Sequence, residues 1–249
     1  MSSIALQLWS LNSLTKDDFL GTLRKVGEMG YDGVEFAGFY DTPAKVVKEV
    51  LAESKLQVVG SHIPLDLLQE DQLEATLAYQ GEIGNCFVVC PWLPEEKRQS
   101  VDSYKRTAEE FNKIGEACRK AGFQFAYHNH NFEFTSFGDK TGFEILFDET
   151  DFNLVKMELD VYWAYYAGWD PVALISRYGD ALGALHIKDL KTDGDKKHST
   201  EVGSGEIDMA PIKEAGNKLG LDWLIVEQEY FTIDPLEAAK TSLDYLKKI

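Results

Sequence analysis

The feature that most constrains this chain is an alternation repeated along its whole length. Short apolar runs give way to longer stretches with helical hydrophobic spacing, and the cycle occurs eight times. The short runs cover residues 4–8, 33–36, 56–61, 86–90, 123–129, 154–159, 182–187 and 223–226. Helical patterns fall at 17–29, 43–53, within 66–83, at 101–121 and at 142–150. Three more open at Asp170-Pro171, at Asp208 (running to Leu219) and at Asp234-Pro235. Asp170 and Asp234 read as N-caps with proline at the first helical position, where its missing N–H costs nothing. Strands that alternate with helices must pair in parallel, because each return to the same edge needs a long crossover. Eight such units in 249 residues match a closed (β/α)8 barrel and leave no length for a second domain. The competing doubly wound sheet usually carries a glycine-rich phosphate turn after its first strand. Here that turn is Gln7-Leu8-Trp9-Ser10-Leu11-Asn12, without glycine. The expected fold is therefore α/β, one TIM-barrel domain over residues 1–249.

Charge narrows the partners. Asp plus Glu number 42 against 25 Lys plus Arg, a formal charge of −17. A general nucleic-acid binder or a polybasic membrane-surface protein needs the opposite balance. No run approaches the roughly 18 apolar residues of a membrane span, and Met1-Ser2-Ser3-Ile4 lacks the pattern of a secretory leader. Cys86, Cys90 and Cys118 are too few for a disulfide framework. Cys86 and Cys90 bracket Phe87-Val88-Val89, so they read as buried free thiols. The expectation is a cytoplasmic protein that binds a small molecule, with no nucleic-acid or membrane partner and with homo-oligomerisation left open.

In such a barrel, functional groups collect where the strands end. The third run ends in Ser61-His62-Ile63-Pro64 and the fifth in Tyr127-His128-Asn129-His130-Asn131-Phe132-Glu133-Phe134. The sixth ends in Glu158-Leu159-Asp160, the seventh in His186-Ile187-Lys188-Asp189 and the eighth in Val226-Glu227-Gln228-Glu229. Four of the five histidines lie at this rim; His198 falls in the charged loop 191–200. Imidazole with carboxylate oxygens and no thiolate suits a divalent Mn, Zn, Co or Mg ion. Glu158 with Asp160, His186 with Lys188, and Glu227 with Glu229 each share one strand face. Plainer readings stand beside these: Asp160 as a helix cap, His186 as a core histidine, and Glu227 and Lys188 as a structural ion pair. Gly203-x-Gly205 reads as a loop turn before it reads as a phosphate cradle.

These segments, with Gln7-Leu8-Trp9-Ser10, Leu159-Asp160-Val161-Tyr162-Trp163 and Val202-Gly203-Ser204-Gly205-Glu206-Ile207-Asp208, resemble the sugar phosphate isomerase/epimerase family of xylose isomerase-like barrels. The likeness implies one divalent metal held by Glu133, Asp160, His186 and Glu227. Relatives with Glu-Asn-His on the fifth strand place the Glu where this chain has His128, so His128 or His130 is the alternative to Glu133. It also implies proton transfer beside the carbonyl of a keto-sugar or polyol through an enediolate, giving isomerisation or epimerisation. Glu227 and Glu133 are then the exchanging bases and Lys188 the oxyanion partner. His128, His130, Trp9, Glu158 and Trp163 become substrate contacts. Loss of a β-hydroxyl from the same enediolate, as in inosose dehydratases, is the alternative, with His62, His128 or Lys188 as the added acid. A non-catalytic sugar-binding barrel is the alternative of another class. An abasic-site endonuclease is disfavoured by the charge and by only five histidines.

Overall fold

The computed structural model describes residues 2–249. Each apolar run becomes a strand, because its β-branched and aromatic residues suit a surface buried on both sides. In chain order the strands are β1 (Ser3–Gln7), β2 (Gly33–Phe36), β3 (Gln57–His62), β4 (Phe87–Cys90), β5 (Gln124–His128), β6 (Ser136–Phe137), β7 (Lys140–Thr141), β8 (Val155–Asp160), β9 (Leu182–Ile187), β10 (Asp189–Asp193), β11 (Lys196–Thr200) and β12 (Trp223–Val226). Eight of them close a parallel barrel in the order β1-β12-β9-β8-β5-β4-β3-β2, with β2 paired back to β1. The expected fold is thus the observed one.

Asp170, Asp208 and Asp234 cap their helices through the side chain, and Pro171 and Pro235 occupy the first turn. Pro43 lies one residue outside its helix, as the N-cap of Ala44–Ser54. Two antiparallel hairpins were not foreseen. One pairs β6 with β7. The other pairs β10 with β11 across the stretch expected to be a charged loop, and His198 lies on it, opposite Lys191. The missed signal was Gly194-Asp195, a two-residue turn with glycine at φ +60°. Cys90 and Cys118 are buried, but Cys86 is exposed, which corrects the expectation for that thiol. No helix among the described residues is long and apolar enough to cross a membrane.

The interior has two parts. The larger lies between the sheet and its helices, where Phe36, Val88, Phe125, Tyr127, Leu159 and Leu185 are fully buried. The smaller lies inside the barrel, where Ala5, Val59, Ala184 and Ile225 pack together with Phe87 and Trp223 against them. Burying such side chains stabilises by about 1.5–3 kcal/mol each for the larger ones. Two residues farther along the same inward face, β1, β9 and the end of β12 present Gln7, His186 and Glu227 instead. The lumen is therefore apolar at its floor and ionic at its mouth.

Candidate active site

Two bulges aim the ionic layer. The β2–β3 register slips between Val34 and Glu35, and the β8–β9 register slips between Met157 and Glu158. Bulges commonly re-aim a side chain beside a site, and here both lie at a buried carboxylate. On β3 the slip breaks the alternation. Val59 faces the lumen floor, while the Ser61 hydroxyl donates outward to Gln80 at 2.7 Å. Gly60 between them makes room, since a Cβ there would stand 2.6 Å from Glu35 Oε1.

The deeper layer joins six side chains. Gln7 donates to Glu35 Oε2 at 2.7 Å, and the same oxygen is 2.8 Å from His186 Nε2 and 3.2 Å from His62 Nε2. Glu158 Oε2 lies 2.7 Å from His62, 3.1 Å from His186 and 3.1 Å from His128. The His62 and His186 rings stack at 5.4 Å. Burial and the charge of Glu35 both push the Glu158 carboxyl up, but His186, His62 and the His128 hydrogen bond outweigh them and hold it at about 2. Burial works against a charge on His62, yet Glu35 and Glu158 raise it to about 10. Glu35 and Gln7 were missed by the sequence reading. A glutamate in the middle of the buried strand Gly33-Val34-Glu35-Phe36 was the available signal.

The upper layer faces the mouth. His186 Nδ1 is 3.2 Å from Glu227, and His128 Nε2 is 3.7 Å from Asp160 Oδ2. Lys188 Nζ, fully buried, is 2.9 Å from Glu229, 3.6 Å from Glu227 and 4.0 Å from Asp160. It also lies 4.9 Å from the Trp163 ring centre. Asp160 is held from both sides. Asn129 Oδ1 accepts from its backbone N–H at 3.0 Å, and Asp160 Oδ1 accepts from the Trp163 N–H at 3.1 Å, capping the helix Val161–Tyr166. Its Oδ2 is buried without a hydrogen-bond partner. Burial lifts the Asp160 carboxyl to about 7; Lys188 pulls it down, and the repulsion of Glu227 adds to burial. Burial likewise opposes the charge on Glu227, but Lys188 and His186 hold it well below the usual carboxylate range. Burial and then Lys188 push His130 down to about 3.

His128, Asp160, His186 and Glu227 each place one ligand atom within 4.8 Å of the others. An orphaned, buried carboxylate oxygen among two imidazoles and a second carboxylate is a donor set that fits a divalent cation. Three of the four expected ligands are in this set, and His128 fills the strand-five place.

Glu133 is not in it. The turn Phe132–Phe134 carries it to the outer side of β5, where it accepts from the Tyr127 hydroxyl and, at 2.8 Å, from the His130 amide. Tyr127 points away from the lumen, against Phe111 of the helix Val101–Lys120. Glu133 thus lies apart from the residues it was expected to join: strand alternation sends His128 inward and Tyr127, with its partner Glu133, outward. His62, His130, Trp9 and Glu229 line a cavity of about 570 Å³ above the cluster, together with His128 and Glu227. Gly203-x-Gly205 is a turn around a protein carboxylate, because Asp189 accepts from the amides of Gly203, Gly205 and Ile207.

Comparison with known proteins places this arrangement. Inosose dehydratase from Lacticaseibacillus casei is 31% identical over 256 residues, spanning 87% of this chain and 85% of that one. A sugar phosphate isomerase/epimerase from Parabacteroides distasonis ATCC 8503 superposes with TM-score 0.82 at 26% identity, over 99% of this chain and 94% of that one. A second structure of that description from the same organism gives TM-score 0.85 at 24% identity, over 100% and 99%, a likeness of fold. A family model described as xylose isomerase-like TIM barrel matches residues 23–249. With that match spanning most of the barrel, the chain belongs to the xylose isomerase-like TIM barrel family.

Proposed function

We propose that this protein is a lyase that removes water from a cyclic keto-polyol of the inosose type. The observation that carries the reading is an acid and a base that face one cavity. Glu227, held ionised, and His62, held protonated, both line the 570 Å³ cavity. Epimerisation needs a second base where elimination needs an acid, and the glutamate expected as that second base, Glu133, lies outside the barrel. The identity to inosose dehydratase supports the same reading.

His128, Asp160, His186 and Glu227 would hold a divalent cation, which when bound polarises a carbonyl and eases loss of the neighbouring proton. The Glu227 carboxylate takes the proton from the carbon next to the carbonyl. The electrons of that C–H bond form the C=C bond and the β C–O bond breaks. His62 gives its proton to the departing hydroxyl, which leaves as water. Lys188, fixed by Glu227 and Glu229, offsets the charge that develops on the substrate oxygen. Glu35 and Glu158 keep His62 charged and oriented. Trp9 and His130 contact the substrate from the cavity wall, and Trp163 backs Lys188.

The test is product analysis after incubating the protein and a divalent metal with an inosose and, separately, with ketohexoses. The expected product is the dehydrated diketone from the inosose. Isomers or epimers alone would overturn the lyase reading in favour of an isomerase/epimerase. Sugar binding without turnover, with or without chelator, would favour a non-catalytic barrel. Glu227→Gln should keep the fold and lower turnover by about 10²–10⁴-fold, together with solvent deuterium uptake into the substrate.

A further inference from the structure

The mouth of the barrel is divided. Its ionisable lining is His62 at the end of β3, His128 and His130 at the end of β5, and Glu227 and Glu229 after β12. The segments after β1 to β4 bring Trp9, Phe39, Ile63, Leu67 and Trp92 to the same cavity. Trp9 is 45%, Leu67 40% and Trp92 47% exposed. Single exposed apolar residues are ordinary, but several facing one concavity make a patch that marks recognition. Size points the same way. A cavity of about 570 Å³ lies in the range that encloses a drug-sized ligand. A single-ring keto-polyol, with about a dozen heavy atoms, occupies only part of such a space. Its hydroxyls find donors and acceptors at the charged half. Turned towards Trp9, Leu67 and Trp92, they would meet mostly carbon.

We infer that the substrate carries a second ring, joined through an ether oxygen to the edge of the keto-polyol away from the charged cluster. Trp9, Phe39, Leu67 and Trp92 form the subsite for that ring and take its apolar face by stacking and contact. The inference rests on the keto-polyol reading for the first ring. It extends that reading from a single cyclic keto-polyol to one that carries a second ring.

Calorimetric titration with methyl and phenyl β-D-glucoside, alongside the inosose dehydration assay, tests it. The phenyl compound should bind about tenfold more tightly than the methyl compound. Trp92→Ala should weaken phenyl glucoside by about fivefold and methyl glucoside by less than twofold. Leu67→Ala gives a smaller loss of the same selectivity, and Trp92→Leu serves if the alanine variant does not fold. Equal affinities for the two glucosides, or equal losses for both in the variants, would overturn the subsite. Phenyl selectivity without inosose dehydration would retain the subsite and overturn the proposed activity. Inosose dehydration without phenyl selectivity would do the reverse.

Discussion

Glu133 is a fully buried carboxylate outside the lumen, and its protonation is linked to folding. Burial raises its carboxyl to about 7, although Tyr127 and the amides of His130 and Glu133 itself pull the other way. Its ordinary value is 4.5, so between about 4.5 and 7 the folded chain holds a proton that the unfolded chain has released. Its contribution to stability is complete below about 4.5 and is lost as pH rises through about 7, a span worth on the order of 3 kcal/mol. Glu133→Gln keeps an oxygen for Tyr127 and removes the titration. Thermal melts of both proteins from pH 5 to pH 8 should show the variant gaining on the wild type up to about pH 7. Parallel curves would refute the linkage. Asn129 makes the opposite kind of contribution: it has no charge to titrate but fixes Asp160. Asn129→Ala should weaken metal binding by about 10–100-fold, as loss of an outer partner does, when titrated with Mn²⁺ or Zn²⁺. Unchanged affinity would show that Asp160 is held by its helix-cap bond alone.

At the scale of elements, the segment after β9 depends on one carboxylate. Asp189 accepts from Leu190 at 2.8 Å, Gly203 at 2.9 Å, Gly205 at 3.0 Å and Ile207 at 3.1 Å. It ties the start of β10 to the loop before the helix Met209–Leu219, directly beside Lys188. A Cβ at Gly205 would collide with the Asp189 carboxylate and the Leu190 carbonyl, so glycine is required there by close approach. Asp189→Ala leaves buried amides without an acceptor and should cost about 3 kcal/mol or more. Asp189→Asn, which retains an acceptor, should cost less. Denaturant midpoints measured at constant slope distinguish them; equal midpoints for the two variants would show that the loop finds other partners. The helix caps at Asp170, Asp208 and Asp234 are local devices of the same type, and they were readable because side chain and recipient amide are two or three residues apart.

For the whole molecule, the proposed cation would stabilise the ionic mouth. β2, β3, β5, β8, β9 and the end of β12 converge on a lumen where carboxylates and imidazoles are buried at a cost that their mutual pairing offsets only in part. A ligand bound only by the folded state adds about 2.7 kcal/mol at a hundred times its dissociation constant. For a chain of this length that is a rise of about 5–10 °C in Tm. Divalent metal should produce it, chelator should reverse it, and Asp160→Asn should abolish it. A Tm indifferent to metal in the wild type would remove the cation from the site.

The barrel itself was legible because strand and helix periodicities are local. Ala5, Ala184 and Ile225 announce an inward face, and spacing by two then carries Gln7, His186 and Glu227 onto it. The rim position of Asp160, His186, Lys188 and Glu227 followed from the same arithmetic. Spacing does not pass through a bulge or around a turn. The slip beside Glu35 and the one beside Glu158 decide which side chains enter the lumen, and the turn Phe132–Phe134 decides that Glu133 does not. Sequence alone determined the class of fold and the placement of Asp160, His186, Lys188 and Glu227 at the C-terminal ends of the barrel strands. Only the tertiary structure decided that His128 and not Glu133 sits with Asp160, His186 and Glu227, that Glu35 and Gln7 join the network, and that Trp9, Phe39, Leu67 and Trp92 line the rest of the mouth. Those outcomes depend on contacts between strands far apart in the chain, whose distances are set by barrel closure and not by any neighbouring residue.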